Sequence, residues 1–290
     1  MKIAILSGGT GWHVADLVRA ATERGHQPQV LSIEALTARI GGAPRLAVGG
    51  TALEQCDGVL LRIIPRGSLE QIIFRIDALH RLERLGIPVL NSPRVIERTV
   101  DKFYTSSLLE DAGLKTPRTV VAERMDDAMA AFREMKDVVV KPLFGSNGRG
   151  IVRVSDEEIA YRVFRALELE RAVYYVQETL PHRGRDMRVF VVGRRVLAAM
   201  WRTSDHWCTN IARGARPEKA DLPPGWQEMS LAAANAVGAE YAGVDLLETT
   251  TGEVHVLEVN GIPGWRGLQE TTEIDVAGAV VRHLEGLCRH

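Results

Sequence analysis

Val138-Val-Val-Lys141-Pro-Leu-Phe-Gly-Ser-Asn-Gly-Arg-Gly150 is an apolar run that ends in a lysine and continues into a loop with three glycines. The run of valines predicts a buried strand. The lysine places a positive charge at the end of that strand, and Gly145, Gly148 and Gly150 allow the backbone to turn its N–H groups toward an anion. In a P-loop the lysine follows the glycines, so this motif is a different one. By itself the stretch predicts either a phosphate-binding loop or a flexible hairpin with an exposed lysine.

A second group of polar residues lies far downstream. Glu258 and Asn260 are two positions apart in the apolar run Val254–Asn260, so a strand there places both side chains on one face. Asp245 ends the preceding strand-like run, and residues 249–252 have the composition of a turn. A hairpin would therefore bring the three side chains together.

These three side chains offer only oxygen ligands, with no His or Cys on the same face. Two carboxylates and an amide suit Mg²⁺ or Mn²⁺ and argue against zinc. Buried acids can also cap turns, but two acids and an amide on an apolar hairpin are unfavourable unless they are paired or bind a metal. Together with the glycine loop, the hairpin predicts a site for a nucleoside triphosphate and a divalent metal.

With these motifs in this order, the chain resembles the ATP-grasp carboxylate–amine ligases, and among them the RimK-like amino acid ligases. The resemblance runs from about residue 60 to the C-terminus. It implies an ATP-grasp fold of mixed α/β and α+β character, with an N-terminal Rossmann-like (pre-ATP-grasp) domain. It also implies that the nucleotide is ATP and that the metal is Mg²⁺ or Mn²⁺.

The resemblance also gives roles to particular residues. It implies nucleotide contacts from Lys102, Lys141, Gly145, Ser146, Gly148, Gly150, Gln177, Glu178, Thr179 and Asp186. It implies catalytic roles for Arg188, Asn210 and Arg213, and metal ligation by Asp245, Glu258 and Asn260. Contacts to the substrates are expected from Arg62, Arg202 and Arg213, because a guanidinium can hold a carboxylate with two hydrogen bonds.

Two features depart from the pattern of the family. Cys208 stands where the family often has an arginine, which puts one phosphate or substrate contact in doubt. The spacing from Asp245 to Glu258 is one residue longer than expected, which a longer turn can absorb. Trp207 and Trp265 either pack in the ordinary way or offer a surface for an aromatic ring of the substrate.

Length and composition limit the function classes. The chain has 290 residues, 46% of them apolar and 25% charged, with a formal net charge of −1. A nucleic-acid-binding protein would normally carry a basic surplus, and no apolar run approaches the ~18 residues of a membrane span. Residues 1–6 are too short for the apolar part of a signal peptide. Three widely spaced cysteines suggest neither disulfides nor zinc, so we expect a cytoplasmic protein. We separately expect a homo-oligomer.

The alternation of strands and helices predicts a parallel α/β domain over residues 1–93. A lid is predicted over residues 94–172, and a C-terminal subdomain with the metal site over residues 173–290. The turn Gly8-Gly9-Thr-Gly11 lacks the G-x-G-x-x-G spacing of a dinucleotide site. It is better suited to donate N–H groups to an anionic substrate, although NAD binding stays an alternative.

The resemblance to the RimK-like ligases implies an ATP-dependent ligase that forms an amide bond through an acyl phosphate. The amine would come from L-glutamate, and the acceptor would be a small coenzyme-like carboxylate, with a tetrahydromethanopterin-type pterin favoured. The acceptor prediction rests on residues 260–268, which resemble ligases that decorate pterin or deazaflavin coenzymes. Alternatives are a ligase acting on a protein tail or an amino-group carrier protein, and a non-catalytic ATP-binding regulator.

Overall fold

The computed structural model describes residues 1–145 and 148–289. The strands in chain order are β1 Lys2–Ser7, β2 Gln27–Ser32, β3 Leu36–Ala38, β4 Leu46–Val48, β5 Thr51–Ala52, β6 Gly58–Leu61, β7 Val89–Leu90, β8 Thr119–Ala122, β9 Val138–Lys141, β10 Val152–Val154, β11 Tyr174–Glu178, β12 Arg185–Val192, β13 Arg195–Thr203, β14 Arg216–Lys219, β15 Tyr241–Glu248 and β16 Val254–Asn260. The α-helices are α1 Trp12–Glu23, α2 Leu69–Arg84, α3 Pro93–Val100, α4 Lys102–Asp111, α5 Met125–Met135, α6 Glu157–Leu169, α7 Pro224–Val237, α8 Arg266–Gln269 and α9 Val276–Leu287.

The N-terminal sheet is parallel, with the strand order β2-β1-β6-β7. The buried runs of β1 and β6 explain this arrangement, because strands covered on both faces are apolar at consecutive positions. The sheet confirms the predicted parallel α/β start of the chain. A small antiparallel sheet, β3-β4-β5, was not predicted, because strands of two or three residues are too short to show a pattern.

Helix α2 begins at a capping box, in which Ser68 and Gln71 bond to each other's backbone N–H groups. The apolar spacing of its sequence predicts one continuous buried face starting at Leu69. The structure buries Ile76 and Leu79, but Leu69 is 75% exposed and Ile73 is 49% exposed. The prediction is therefore wrong for the first turn of the helix, which projects beyond the sheet it packs against.

The central sheet is antiparallel, with the order β10-β9-β11-β8, and helices α5 and α6 cover one of its faces. Strand β11 lies in this sheet between β9 and β8, although the division at 172/173 assigns it to the C-terminal subdomain. The chain leaves this sheet after β10, forms α6 and returns to the sheet as β11. A subdomain boundary after Glu178 therefore agrees better with the strand pairing.

The C-terminal sheet is antiparallel, with the order β14-β13-β12-β15-β16. Its two faces belong to different cores, since Val189 of β12 packs with α7 while the next residue, Phe190, packs with α1 and α9. Val95 of α3 and Leu109 of α4 also pack on the α7 side, so the helices expected in the lid rest on the C-terminal sheet instead.

Asn91 joins the N-terminal domain to the C-terminal sheet. It is fully buried, and its amide nitrogen donates to the carbonyl oxygens of Tyr241 and Gly261 at 2.7 and 2.6 Å. Its side-chain oxygen accepts from the backbone N–H groups of Glu240 and Tyr241 at 2.9 and 3.2 Å. Four hydrogen bonds satisfy this buried amide and fix the end of β7 against β15. None of the described helices is long and apolar enough to cross a membrane.

Glu285 of α9 ties the C-terminal helix to the N-terminal domain. Its side chain is buried and accepts hydrogen bonds from Arg24 at 2.5 and 2.7 Å, and its Oε1 lies 2.6 Å from Nε2 of His26. The Arg24 hydrogen bonds lower the pKa of Glu285 to about 2, although burial opposes this shift. The carboxylate therefore stabilises the fold above its ordinary pKa, and this contribution disappears as the pH falls from about 4.5 toward 2.

We expect Glu285→Gln to lower the free energy of unfolding at pH 7 by about 1–2 kcal/mol, because it removes the charge of a buried carboxylate that accepts two hydrogen bonds from the partly exposed Arg24. Urea unfolding at several pH values measures the effect, and the gap between the two proteins should narrow below pH 4.5. Glu23→Gln is the control, since Glu23 is exposed and pairs with Arg19 on the surface. A loss no larger than that of the control would contradict the assignment.

Candidate active site

Lys102 and Lys141 line one cleft together with Gly145, Glu258 and Asn260. Lys141 ends β9 and Lys102 begins α4, so two distant segments deliver the two charges to the same place. Sequence reasoning assigned these residues to phosphate and metal binding, and the fold brings them together. Whether each binds as predicted stays a prediction.

The two lysines are held by neutral oxygen atoms rather than by carboxylates. Nζ of Lys141 donates to Oε1 of Gln177 at 2.6 Å, and Nζ of Lys102 donates to the carbonyl oxygen of Gly145 at 3.0 Å. Burial lowers the pKa of both lysines, and the charge of Glu258 acts in the opposite direction. An anion that enters the cleft would stabilise the charged form of each lysine and so offset the solvation that each ammonium group lost on burial.

Gln177, Glu178 and Thr179, the expected nucleotide contacts at the end of β11, are held largely by hydrogen bonds. Gln177 is buried, and its Nε2 donates to Oγ1 of Thr119 at 3.0 Å. Glu178 accepts from the backbone N–H of Arg118 at 2.8 Å, and Thr179 donates to Asp137 at 2.9 Å. The structure thus places Gln177 beside Lys141, while Glu178 and Thr179 contact the residues that directly precede β8 and β9, the two strands that flank β11.

The hairpin that carries the three predicted metal ligands forms, with Asp245 opposite Glu258 and Gly243 opposite Asn260. The register shifts directly after Asp245, and this bulge absorbs the extra residue in the spacing. Nδ2 of Asn260 donates to Oε1 of Glu258 at 2.9 Å, which turns the amide oxygen of Asn260 away from that carboxylate. Glu258 and Asn260 thus fit the oxygen ligands of a hard divalent cation.

Asp245, the third predicted ligand, lies in a buried network of four charged side chains. Arg188 donates to both of its carboxylate oxygens, from Nη2 at 2.8 Å and from Nε at closer range, and Nη2 of Arg202 lies 2.9 Å from Oδ2. Arg202 also grips Asp186 with Nε at 2.7 Å and with Nη2. Two guanidinium groups and two carboxylates leave the network electrically neutral.

The charges in this network stabilise one another against burial. Burial would raise the pKa of Asp245, but Arg188 and Arg202 outweigh it and lower the pKa to about 2. Burial raises the pKa of Asp186, although Arg202 opposes this. Arg202 was expected to contact substrate and Asp186 to contact nucleotide. The structure instead leaves the two side chains 4% and 2% exposed and engages each with the other.

A cluster of three or more His, Cys, Asp or Glu side chains that could hold a metal is absent from the described residues. The predicted set contains only two carboxylates, and its third member is an amide. A cation bound by Glu258 and Asn260 would therefore have to share Asp245 with two arginines.

Gly148 lies against the segment that carries Asn210 and Arg213, two residues with predicted catalytic roles. Gly148 has φ +69°, and a Cβ atom at this position would lie 2.6 Å from Oδ1 of Asn210 and 3.4 Å from Cδ of Arg213. Sγ of Cys208 donates to the same Asn210 oxygen at 3.0 Å. Cys208 therefore orients Asn210 where the family often has an arginine. Gly150 also has a positive φ, and Ser146, an expected nucleotide contact, lies outside the described residues.

Arg62 bridges the two domains. Its Nη1 donates to the carbonyl oxygen of Pro263 at 3.1 Å and to the hydroxyl of Tyr241 at 3.4 Å, and its guanidinium carbon lies 4.6 Å from the ring centroid of Trp265. Arg62 was expected to contact substrate, but these contacts hold it against the loop that follows Asn260.

His13 and Asp16 complete this junction, and sequence reasoning missed the role of both. Nε2 of His13 accepts from the backbone N–H groups of Trp265 at 3.0 Å and Arg266 at 3.3 Å, and Asp16 accepts from Nε1 of Trp265 at 2.9 Å. Burial, together with the charge of Arg62, lowers the pKa of His13 to about 4. The ring is therefore neutral at pH 7, as an acceptor of two amide hydrogens must be.

Trp265 is fully buried by these contacts, so it offers no surface to a substrate ring, and that part of the prediction is wrong. Its position after the Pro-Gly step gave no signal of this burial, because the partners His13 and Asp16 come from the other end of the chain.

Comparison with known proteins decides the family. The model of the RimK-like ATP-grasp domain matches residues 99–284, and that of the RimK PreATP-grasp domain matches residues 1–96. The chain belongs to the RimK-like ATP-grasp family. It is an ATP-dependent ligase that forms amide bonds, so the predicted fold, family and enzyme class are confirmed.

Relatives of similar length carry ligase names. The tetrahydromethanopterin:alpha-L-glutamate ligase of Methanococcus maripaludis is 34% identical, over 96% of this chain and 95% of the relative. That of Methanosarcina acetivorans is 31% identical, over 95% and 96%. A probable alpha-L-glutamate ligase of Cellvibrio japonicus is 33% identical, over 98% and 95%.

Solved structures share the fold. The ATP-grasp ligase PsnB in complex with its minimal precursor superposes with a TM-score of 0.79 at 25% identity, covering 98% of both chains. A RimK domain ATP-grasp protein from Sphaerobacter thermophilus superposes with a TM-score of 0.76 at 22% identity, covering 99% of this chain and 100% of that one.

We expect Gly148→Ala to reduce ADP formation strongly, because its new methyl group would collide with Asn210 and displace one of the two loops. Gly252→Ala is the matched control, since Gly252 also has a positive φ but no atom within 4 Å of the added carbon. Both variants should lose about 1 kcal/mol of unfolding free energy through backbone strain. Steady-state assays and thermal unfolding separate the two effects. Equal activity of the two variants would show that the loops do not meet during catalysis.

We expect Asp186→Asn to lower the free energy of unfolding by about 3 kcal/mol, because it removes one partner of a buried ion pair. Asp205→Asn is the control, since Asp205 is 82% exposed and lies 3.7 Å from Arg216. Urea unfolding and ATP titration are measured together. If the variant weakens ATP binding while its stability matches that of the control, Asp186 is a nucleotide contact and not part of the buried network.

Proposed function

We propose that this protein adds L-glutamate to the carboxylate of a small pterin-type coenzyme, with ATP as phosphoryl donor and Mg²⁺ as the metal. The observation that carries the proposal is the single cleft that holds Lys102, Lys141, Glu258 and Asn260. A cleft with two cations and two oxygen ligands suits a magnesium-bound triphosphate. The acceptor class comes from the relatives, three of which act on tetrahydromethanopterin by name.

Joining a carboxylate to an amine in water is unfavourable, so the carboxylate is first phosphorylated by ATP. Lys102 and Lys141 hold the phosphates, and burial makes each charge more effective than it would be in water. Glu258 and Asn260, with Asp245, would hold a divalent metal, which when bound would neutralise negative charge on the phosphates. Catalysis of this kind depends on position and charge more than on covalent chemistry.

Arg188 is the proposed stabiliser of the charge that develops on the transferred phosphoryl or acyl group. Its guanidinium is held by Asp245, and its side chain passes within 3.0–3.1 Å of where a Cβ of Gly243 would lie. A side chain fixed in this way needs little reorganisation during the reaction. Asn210 and the exposed Arg213 stand at the mouth of the site beside Gly148, where they can hold the acceptor and the amino acid.

Mg²⁺ is proposed over Mn²⁺ because carboxylate and amide oxygens at a phosphate site form the usual magnesium environment. We also propose that the protein is a homo-oligomer and that it works in the cytoplasm.

A peptide acceptor is the second candidate. PsnB, which superposes over 98% of this chain, is a ligase that binds a peptide precursor. The formal net charge of −1 gives this chain no general attraction for an acidic protein tail, although a local patch can act independently of net charge.

The test is ADP release with ATP, Mg²⁺ and L-glutamate and a panel of acceptors: a tetrahydropterin-type coenzyme, a deazaflavin coenzyme and acidic peptide tails. We expect turnover with the tetrahydropterin and a product heavier by one glutamyl residue in mass spectrometry. Turnover confined to the peptides would overturn the proposed acceptor class. Release of ADP without any amide product would overturn the ligase assignment.

Glu258→Gln provides the matching variant. We expect it to lower turnover by more than about 100-fold, because the metal contributes several kcal/mol of transition-state stabilisation. The fold should be unaffected, since Glu258 lines the cleft. Glu253→Gln is the control on the same hairpin, where Glu253 pairs with Lys115 at the surface. Normal turnover by Glu258→Gln would refute the metal assignment.

A further inference from the structure

Trp12 is the tryptophan with the most free surface. It is 38% exposed, whereas Trp265 is fully buried. Trp201 and Trp226 pack edge to face with ring centroids 5.7 Å apart, and Arg185 covers the ring of Trp201 at 4.1 Å. A single exposed apolar side chain is common on protein surfaces, so the place of Trp12 in the fold decides what it can do.

Trp12 stands at the point of the N-terminal sheet where ligands usually bind. Strands β1 and β6 are neighbours, and the chain leaves β1 toward β2 on one side and β6 toward β7 on the other. Such a reversal opens a crevice at the carboxyl ends of the two central strands. Gly8 to Gly11 follow β1 into this crevice, and neither Gly9 nor Gly11 has a heavy atom within 4 Å of where a Cβ would lie. The space above the turn is therefore open.

The indole of Trp12 is supported from behind. Its ring meets that of His13 edge to face, with centroids 5.1 Å apart, and His13 meets Trp265 in the same way at 4.8 Å. His13 is itself fixed by two backbone N–H groups of the loop after Asn260. Trp12 therefore sits on the rigid junction between the two domains and not on a mobile surface segment.

This junction is connected to the metal-binding edge by a short piece of chain. Trp265 follows Asn260 by five positions, so their Cα atoms are at most about 18 Å apart. An acceptor that bridges Trp12 and the cleft would carry its ring at one end and its carboxylate at the other. Ile63, which is 44% exposed and 3.5 Å from a Cβ position on Gly8, adds a second apolar surface beside the turn. Arg266 on the same junction is exposed and lies 3.7 Å from Glu270, and an ion pair this exposed leaves the guanidinium accessible to an anionic molecule.

We propose that Trp12 is the platform on which the flat heteroaromatic ring of the acceptor stacks, and that it sets the specificity for ring-bearing acceptors. The inference rests on the proposed function, because it names the part of the protein that recognises the acceptor. Aromatic side chains bind flat heterocycles through their faces with little demand on hydrogen-bond pattern. Trp12 would therefore recognise the class of ring, while the cleft recognises the carboxylate.

The experiment compares Trp12→Ala, Trp12→Leu and Trp12→Phe with the wild type in steady-state assays with the tetrahydropterin acceptor. Stacking on one aromatic side chain is worth roughly 5- to 150-fold in affinity. We expect the Ala and Leu variants to raise the KM for the acceptor within that range. The KM for ATP, the KM for glutamate and kcat should stay unchanged. The Phe variant should recover most of the loss, since phenylalanine retains an aromatic face, whereas leucine retains only apolar volume.

Tyr161→Ala is the control, because Tyr161 is a 50% exposed aromatic residue on α6 of the lid. It should leave every kinetic constant unchanged. Thermal unfolding of the Trp12 variants is measured beside the kinetics. Trp12 is 38% exposed and packs on His13, so Trp12→Ala should lose some stability, and an unchanged kcat and KM for ATP would show that the active site stays folded.

The outcomes separate this inference from the proposed function. A wild-type enzyme that turns over no ring-bearing acceptor would overturn the proposed function and the platform with it. A wild-type enzyme that turns over the tetrahydropterin, with an unchanged KM in Trp12→Ala, would overturn the platform alone. A Leu variant that recovers as well as the Phe variant would show that apolar packing, not stacking, is what matters.

Discussion

The ion pair between Asp245 and Arg188 is the constraint on which the active site depends. Both groups are buried in the C-terminal sheet, where a lone charge would be strongly unfavourable, so each requires the other and both require Arg202 and Asp186. Because β12, β13 and β15 each contribute to this network, the pairing of three strands fixes its geometry. Arg188, the proposed catalytic arginine, and Asp245, a proposed metal ligand, are thereby held in a geometry that strand pairing fixes. The two guanidinium groups and two carboxylates leave the network neutral as a whole.

The cleft itself works by an opposite principle. Lys102 and Lys141 are buried beside neutral oxygens, and this desolvation lowers the pKa of both. Each ammonium group would therefore gain from an anion beside it, which agrees with the proposed triphosphate site. Gly148 packs against Asn210, where a larger side chain would collide. In the proposed reaction, exclusion of water from the cleft would protect an acyl phosphate from hydrolysis.

A third set of contacts connects the chemistry to the N-terminal domain. His13, Asp16 and Arg62 all bind the loop that follows Asn260, and Asn91 fixes the strand beside it. The loop that follows β16 is thus held by side chains from the first 91 residues. In the proposed function, this arrangement would let the α/β domain present an acceptor to the cleft on another sheet. It also places Trp12, with its open face, next to the loop that leads to the cleft.

The sequence by itself determined the local features: the strand that ends in Lys141, the hairpin that pairs Asp245 with Glu258, and the α/β start of the chain. Each depends on periodicity or turn composition within a short stretch, and so it can be found without knowledge of the fold. Long-range partners were a different matter. Nothing near Arg202 indicates that it grips Asp186 across two strands, or that Trp265 is enclosed by His13 and Asp16 from residues about 250 positions earlier. Two further features depended on tertiary packing: the exposure of the first turn of α2, and the membership of β11 in the central sheet. Only the tertiary structure decides these, because burial and charge pairing are properties of the neighbours that folding brings together and not of the segment itself.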